Sequence, residues 1–315
     1  MPTLGRALAA ISAHGRLVLI LGLLAGVMLP GLAVAMRPWI GQMVAVLLFL
    51  AALRVGPRMA LGALSDVGRS VLLTALFQVA MPLAAIGLFM LLGLGALPVA
   101  TFFVLMLAAA PISGSPSLTV MCGGDPAPAL RQLVIGTALL PVTVLPVFWL
   151  TPAFGDPGAV ISAAGGLMLL VAMAGGGAFL IRGTILKEAS PSALQAIDAV
   201  SVIVLAVVVI GLMSAVGPAM RQSPLAFTGV LALVCAANFA IQIAAALCER
   251  LSGGPNPIAT GIVAGNRNIA LFLSVLPQTT VDPLLLLIGC YQIPMYLTPA
   301  VLGRFYAWVA RAHDR

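Results

Sequence analysis

The sequence predicts an all-α membrane protein: ten transmembrane helices in two inverted five-helix repeats, with helices 4 and 9 broken and crossing. Three observations carry that expectation. The 315-residue chain is 62% hydrophobic and 7% charged, whereas charged residues make up about a quarter of a typical soluble chain. Its apolar residues gather into stretches near the ~20 residues that a helix needs to cross the hydrocarbon core. Two of these stretches, at matching places in the two halves, are interrupted by Pro, Gly and polar residues.

The spans are expected at about 17–36, 38–54, 68–93, 98–122, 127–150, 158–181, 194–216, 224–248, 257–277 and 283–309. Residues 1–35 resemble a signal peptide in having Arg6, Arg16, an apolar run and a small-residue site at Ala33-Val-Ala35. The run is long and holds Pro30, and nine further spans follow, so it is read as the first helix. With the N terminus in the cytoplasm, twelve basic residues fall inside: Arg6, Arg16, Arg54, Arg58, Arg69, Arg131, Arg182, Lys187, Arg250, Arg304, Arg311 and Arg315. Two, Arg37 and Arg221, fall outside, and Arg267 lies within a span. This count places both termini in the cytoplasm, and the expected location is a bacterial inner membrane.

Five spans precede the turn Thr151–Gly158 and five follow it. Because five is odd, the halves enter the bilayer from opposite sides, the arithmetic of an inverted repeat. The reading is one transmembrane domain over 1–315, with repeat 1 at about 1–155 and repeat 2 at about 156–315.

The fourth span is interrupted by Pro111, Gly114 and Pro116, and the ninth by Gly261, Gly265, Asn266 and Asn268. Proline removes an amide donor and obstructs the preceding turn, and glycine loosens the backbone. Paired breaks of this kind point to a site at mid-membrane, where half-helix N-termini favour an anion. Arg267 strengthens the expectation, since an ionised side chain at membrane depth usually marks a ligand or ion path. Asn266, Asn268, Ser113, Ser115, Gln78 and Asn238 are the other candidate contacts. For each, a plain structural role stands beside the functional one: a cap at a helix break, a bond to the preceding turn, or glue between helices. Asp125 reads as a cap for the fifth span or a partner of Arg131, and Gly175-Gly-Gly177 as a packing or hinge element.

Other classes are disfavoured. Cys122, Cys235, Cys248 and Cys290 lack metal-ligand spacing, and His14 and His313 lie outside the spans, so no metal, cofactor or hydrolytic set is expected. There is no GxxxxGK[ST] motif. The basic residues are scattered between apolar spans, which argues against a nucleic-acid partner despite a pI near 10.1.

At several of these points the chain resembles the bile acid/sodium symporter superfamily. The matches are Pro111 with Ser115, Gly124-Asp125 opening the fifth span, Met81-Pro82 after Gln78, Asn238 in the eighth span, and Gly265 with Asn268 in the ninth. The resemblance runs along the whole chain. It implies a carrier in which helices 3–5 and 8–10 form a core and helices 1, 2, 6 and 7 a moving panel. It also places the family's sodium ligands, and here the chain departs. A Ser-Asn pair becomes Ser115-Pro116, a Ser and a Thr fall at Ala129 and Leu133, the Glu falls at Val263 and the Gln at Arg267.

The expectation is therefore a secondary active or facilitative carrier of an organic anion, sodium-independent, with Arg267 as a fixed cation at the crossing. Uniport, exchange and proton linkage all remain open. The alternatives are a sodium-coupled symporter of bile-acid-like anions and a membrane sensor that keeps the fold without transport.

Overall fold

The computed structural model describes residues 8, 10–12, 14–62, 67–154, 156–187 and 189–311. Arg6, His313 and Arg315, used above, lie outside them. The described chain is helical, and seven helices are long and apolar enough to cross a membrane. These are Pro30–Gly62, Val67–Leu91, Pro126–Leu150, Pro157–Thr184, Pro191–Gln222, Pro224–Leu251 and Gln278–Arg311. Leu17–Met28 and Pro98–Ala108 are shorter apolar helices. Many large apolar side chains on the outer faces stay exposed, Leu72, Leu91, Met173 and Leu225 among them. That is the surface of a multi-pass integral membrane protein, whose solvent is lipid.

The helical segments are α1 (Gly15–Met28), α2 (Pro30–Met36) and α3 (Ile40–Gly62). Then come α4 (Val67–Ala75), α5 (Met81–Leu91), α6 (Pro98–Ala108), α7 (Ser115–Met121) and α8 (Pro126–Leu150). The second half holds α9 (Pro157–Val171), α10 (Gly177–Thr184), α11 (Pro191–Leu212) and α12 (Val216–Gln222). It ends with α13 (Pro224–Leu251), α14 (Pro257–Gly265), α15 (Gln278–Val281) and α16 (Leu285–Arg311). Proline opens many of them, a position where its missing N–H costs nothing. Pro116 does this for α7, so it starts a helix as well as following a break.

Three local irregularities have sequence causes. A π-turn at Leu76–Ala80 joins α4 to α5, with the Met81 N–H bonded to Leu76 O. Pro82, next in line, has no N–H to close an ordinary helical bond to Gln78 O. A second π-turn, Ala172–Gly176, joins α9 to α10 at the glycine run. In α3, Gly56 takes φ 71° just before Pro57 and kinks the helix.

The helices form two groups. In one, α11 packs on α1, α2 and α3, and α3 on α10. In the other, α13 packs on α14 and α16, while α8 packs on α4, α7 and α14. Ion pairs identify the ends of the bundle. Arg54 bonds Asp198 at 2.8 Å, Arg69 pairs with Glu249, and Arg250 lies 4.2 Å over the Trp308 ring, all at the end that holds residues 14 and 311. At the far end Arg37 pairs with Asp282. Asp125 caps α8 through the Ala127 N–H at 3.0 Å, as its sequence position suggested.

Gly261, expected at the break of the ninth span, lies instead inside α14, where its missing side chain allows close approach to α13. A Cβ at Gly261 would stand 2.8 Å from Gln242 O, 2.8 Å from the Tyr306 hydroxyl and 2.9 Å from Ala246 Cβ. Gly261→Ala is therefore expected to lower stability by about 1–3 kcal/mol, read as a lower melting temperature in detergent. Gly87→Ala, with nothing within 4 Å, is expected to leave the melt unchanged or slightly raised.

Candidate functional site

The two sequence breaks meet. After α6 the chain leaves the helix at Ala109, φ −65° and ψ 153°, two residues before Pro111. After α14 it leaves at Asn266, φ −100° and ψ 92°. The two extended stretches pair antiparallel, Pro111 opposite Arg267. The Ile112 N–H donates to Asn266 O at 3.1 Å, and the Asn268 N–H donates to Ala110 O at 2.7 Å. Backbone groups freed by each break are thus satisfied by the other, the condition for irregular chain in an apolar interior.

Side chains complete the pairing. Gly265 O accepts from Asn238 Nδ2 at 2.7 Å and from the Tyr291 hydroxyl. The same hydroxyl accepts the Arg267 N–H at 2.9 Å. Tyr291 is held edge-on by Phe102, with ring centroids 5.9 Å apart. Gln242 Nε2 donates to Asn238 Oδ1 at 2.7 Å and to Thr298 Oγ1 at 3.1 Å, and its Oε1 accepts from Tyr306 at 3.0 Å. Asn266 Nδ2 turns back to Ile262 O at 3.0 Å. The first half has a smaller counterpart. Gln78 Nε2 donates to Gly136 O at 3.2 Å and its Oε1 accepts from Thr143 at 2.9 Å, while Gln132 donates to Thr74 at 2.8 Å.

A cavity of about 500 Å³ lies between the two helix groups. Ser113, Gly114, Arg267 and Asn268 form its floor at the crossing. Its walls are mostly apolar and come from α1, α3, α7, α8, α11, α16 and the second π-turn. The wall residues nearest the bundle ends, Leu19, Val55, Met121, Phe179 and Ala300, all lie toward the end with Arg54 and Arg250. Ser113 and Ser117 are exposed within it.

The candidate residues therefore separate. Arg267, Asn268 and Ser113 border the cavity. Gln78, Asn238, Asn266 and Ser115 do not: each is fully buried, and the three amides spend their bonds holding the breaks and helices together. Ser117 and Gln292 also border the cavity, and Gln242, Tyr291 and Thr298 hold the crossing. Of these, Gln292, Gln242, Tyr291 and Thr298 were missed by sequence reading, although Gln242 follows Asn238 at helical i+4 spacing, a usable signal.

Arg267 is 1% exposed, and its Nε, Nη1 and Nη2 have no hydrogen-bond partner. Its Cζ lies 5.2 Å over the Phe77 ring. Phe77 packs with Ala129, Ala259, Val263 and Ala264, so the guanidinium stands against an apolar shell behind the crossing. Among the described residues no group of His, Cys, Asp or Glu is placed to hold a metal.

Removing the Tyr291 hydroxyl leaves the buried Arg267 N–H without its acceptor. Tyr291→Phe is expected to cost about 1–3 kcal/mol, measured as a loss of thermal stability without loss of helix content.

No protein-family model matches the chain, and no curated protein matches it.

Proposed function

We propose that the protein is a sodium-independent carrier of an amphipathic organic anion, working by alternating access on a ten-helix inverted-repeat plan. The observation that carries this reading is Arg267, a permanent charge at the crossing of two broken helices, beside a largely apolar 500 Å³ cavity. An apolar cavity with a few polar groups at its floor suits a ligand with a greasy body and a polar head. Ser113, Asn268 and Ser117 offer donors for that head. The guanidinium contributes its field from behind the crossing.

Two further features support the plan. In each half, the helix before the break carries buried polar residues four apart, Thr74 with Gln78 and Asn238 with Gln242. Two positions where the family resemblance expects sodium ligands, Ala129 and Val263, pack on Phe77 under the Arg267 guanidinium. Methyl groups offer no oxygen to a sodium ion, and the guanidinium already supplies positive charge there.

Purified protein in sodium-free liposomes tests the reading. A panel of amphipathic carboxylates and sulfonates is screened by thermal shift, and uptake of the best binder is followed in choline and in sodium media. Equal uptake is expected, with Arg267→Gln lowering it about tenfold or more, the equivalent of 1.4 kcal/mol of anion binding. A strong sodium requirement supports the symporter alternative instead, and binding without flux supports a sensor.

In this reading the cavity faces the cytoplasm and the far end is shut. Arg37, between α2 and α3, and Asp282, before α16, tie the helix groups together there. The pair is 34% and 48% exposed, so it is weak, about 0–1 kcal/mol, as suits a latch that opens in each cycle. Asp282→Asn is expected to add a longer-distance population between spin labels at positions 34 and 278. An unchanged distance distribution removes the latch from the mechanism.

A further inference from the structure

Two polar groups on the cavity wall have no task in holding the fold. Gln292 is 5% exposed and borders the cavity from α16. Its Nε2 donates to Ile288 O at 3.3 Å, one turn back on the same helix. That bond decides which end of the amide is left over. It is Oε1, an acceptor, which is open and has no partner among the described residues.

Tyr296 follows four residues later, on the same face of α16, and borders the cavity as well. The chain has three tyrosines. Tyr291 donates its hydroxyl to Gly265 O and Tyr306 donates to Gln242. The Tyr296 hydroxyl bonds no described residue and is not sealed in the protein. Gln292 is the neighbour of Tyr291, whose hydroxyl accepts the Arg267 N–H, so the free pair begins at the level of the crossing. It ends one turn before Ala300, toward the mouth.

We propose that Gln292 and Tyr296 read a hydrogen-bond donor on the body of the ligand, a hydroxyl or an amide N–H close to its anionic head. The inference rests on the reading of this cavity as the site of an organic anion, and narrows the substrate class to anions that carry such a donor. An acceptor oxygen does not suit the head itself: Gln292 Oε1 repels a carboxylate, whereas Ser113 and Asn268 at the floor can donate to one. Nor does it suit a wholly apolar body, which strips water from Oε1 and leaves nothing in its place. A site that holds an unused polar group selects against ligands lacking the complementary one. Tyr296 can accept from the same donor, or donate to the oxygen that bears it.

The sign of one measurement tests this. In an apolar cavity an added hydroxyl weakens binding unless a partner meets it. Purified full-length protein in detergent is titrated with decanoate and with 2-, 3- and 5-hydroxydecanoate, then with their methyl esters, and heat is recorded. At least one hydroxylated probe is expected to bind the wild type about fivefold more tightly than its parent, the size of one net hydrogen bond. The preference is expected to be lost in Gln292→Leu or Tyr296→Phe, with decanoate binding as well as before or better. Neither substitution removes a bond between helices. Comparing one probe across the variants cancels its partition into micelles. If no hydroxyl strengthens binding in either series, or the preference survives in both variants, the proposal is overturned. Decanoate binding tightest of all removes the donor reading and leaves the anion carrier standing. A hydroxyl preference among the esters, with no carboxylate bound, overturns the anion reading and leaves the donor site.

Discussion

The structure depends on one requirement: backbone groups freed inside an apolar bundle must find partners. Pro111 stops one helix, and Gly265 with Asn266 ends another, which exposes N–H and C=O groups far from bulk water. Each buried group left unpaired costs about 1–3 kcal/mol. A few such losses rival the whole stability of a folded domain, about 5–15 kcal/mol. Neither break is affordable alone. Together they are tolerated, because Ile112 and Asn268 donate across the crossing to Asn266 and Ala110. Tyr291 and Asn238 close the remaining positions around Gly265.

This requirement explains why so few of the buried polar side chains face the cavity. Asn238, Gln242, Thr298 and Tyr306 form one connected set behind the break that ends α14. Gln78, Thr143 and Gly136 form another beside α8. They act as a scaffold that keeps two extended stretches in register, so that Ser113 and Asn268 sit at the cavity floor. Any shift of α13 against α14 would have to break the Asn238 bond to Gly265 O, which favours movement of this group of helices as a block.

The helical, membrane-spanning character of the chain was legible where its causes are local, whereas the expected count of ten spans compares with seven helices long and apolar enough to cross among the described residues. Apolar run length marks the helices, and proline and glycine act within a turn or two, so both breaks could be read directly. Arg267 was visible because an arginine in such a run has no ordinary explanation. What could not be read is direction and long-range partnership. Nothing near Asn266 in sequence shows that its carbonyl receives Ile112, more than a hundred residues away. A polar residue inside an apolar helix looks the same whether it turns to a cavity or to a neighbouring backbone, so Gln78, Asn238 and Ser113 could not be told apart. Phe77 gave no signal at all: its contact with Arg267 depends on how α4 and the π-turn lie against the crossing.

A guanidinium in place of a dissociable cation has an energetic consequence for the proposed carrier. A bound sodium ion enters on one side and leaves on the other, and so draws on its gradient. Arg267 cannot leave, so it contributes the same charge to every state and adds no driving force. Net flux then follows the gradient of the organic anion and the membrane potential. A unit negative charge crossing the membrane exchanges about 2.3 kcal/mol per 100 mV, and with the usual inside-negative potential this favours exit. An uncoupled carrier built on Arg267 therefore runs toward export unless another charge moves with the substrate or against it. In the proposed carrier, fixing the cation in the chain would turn a device for accumulation into one for release or exchange.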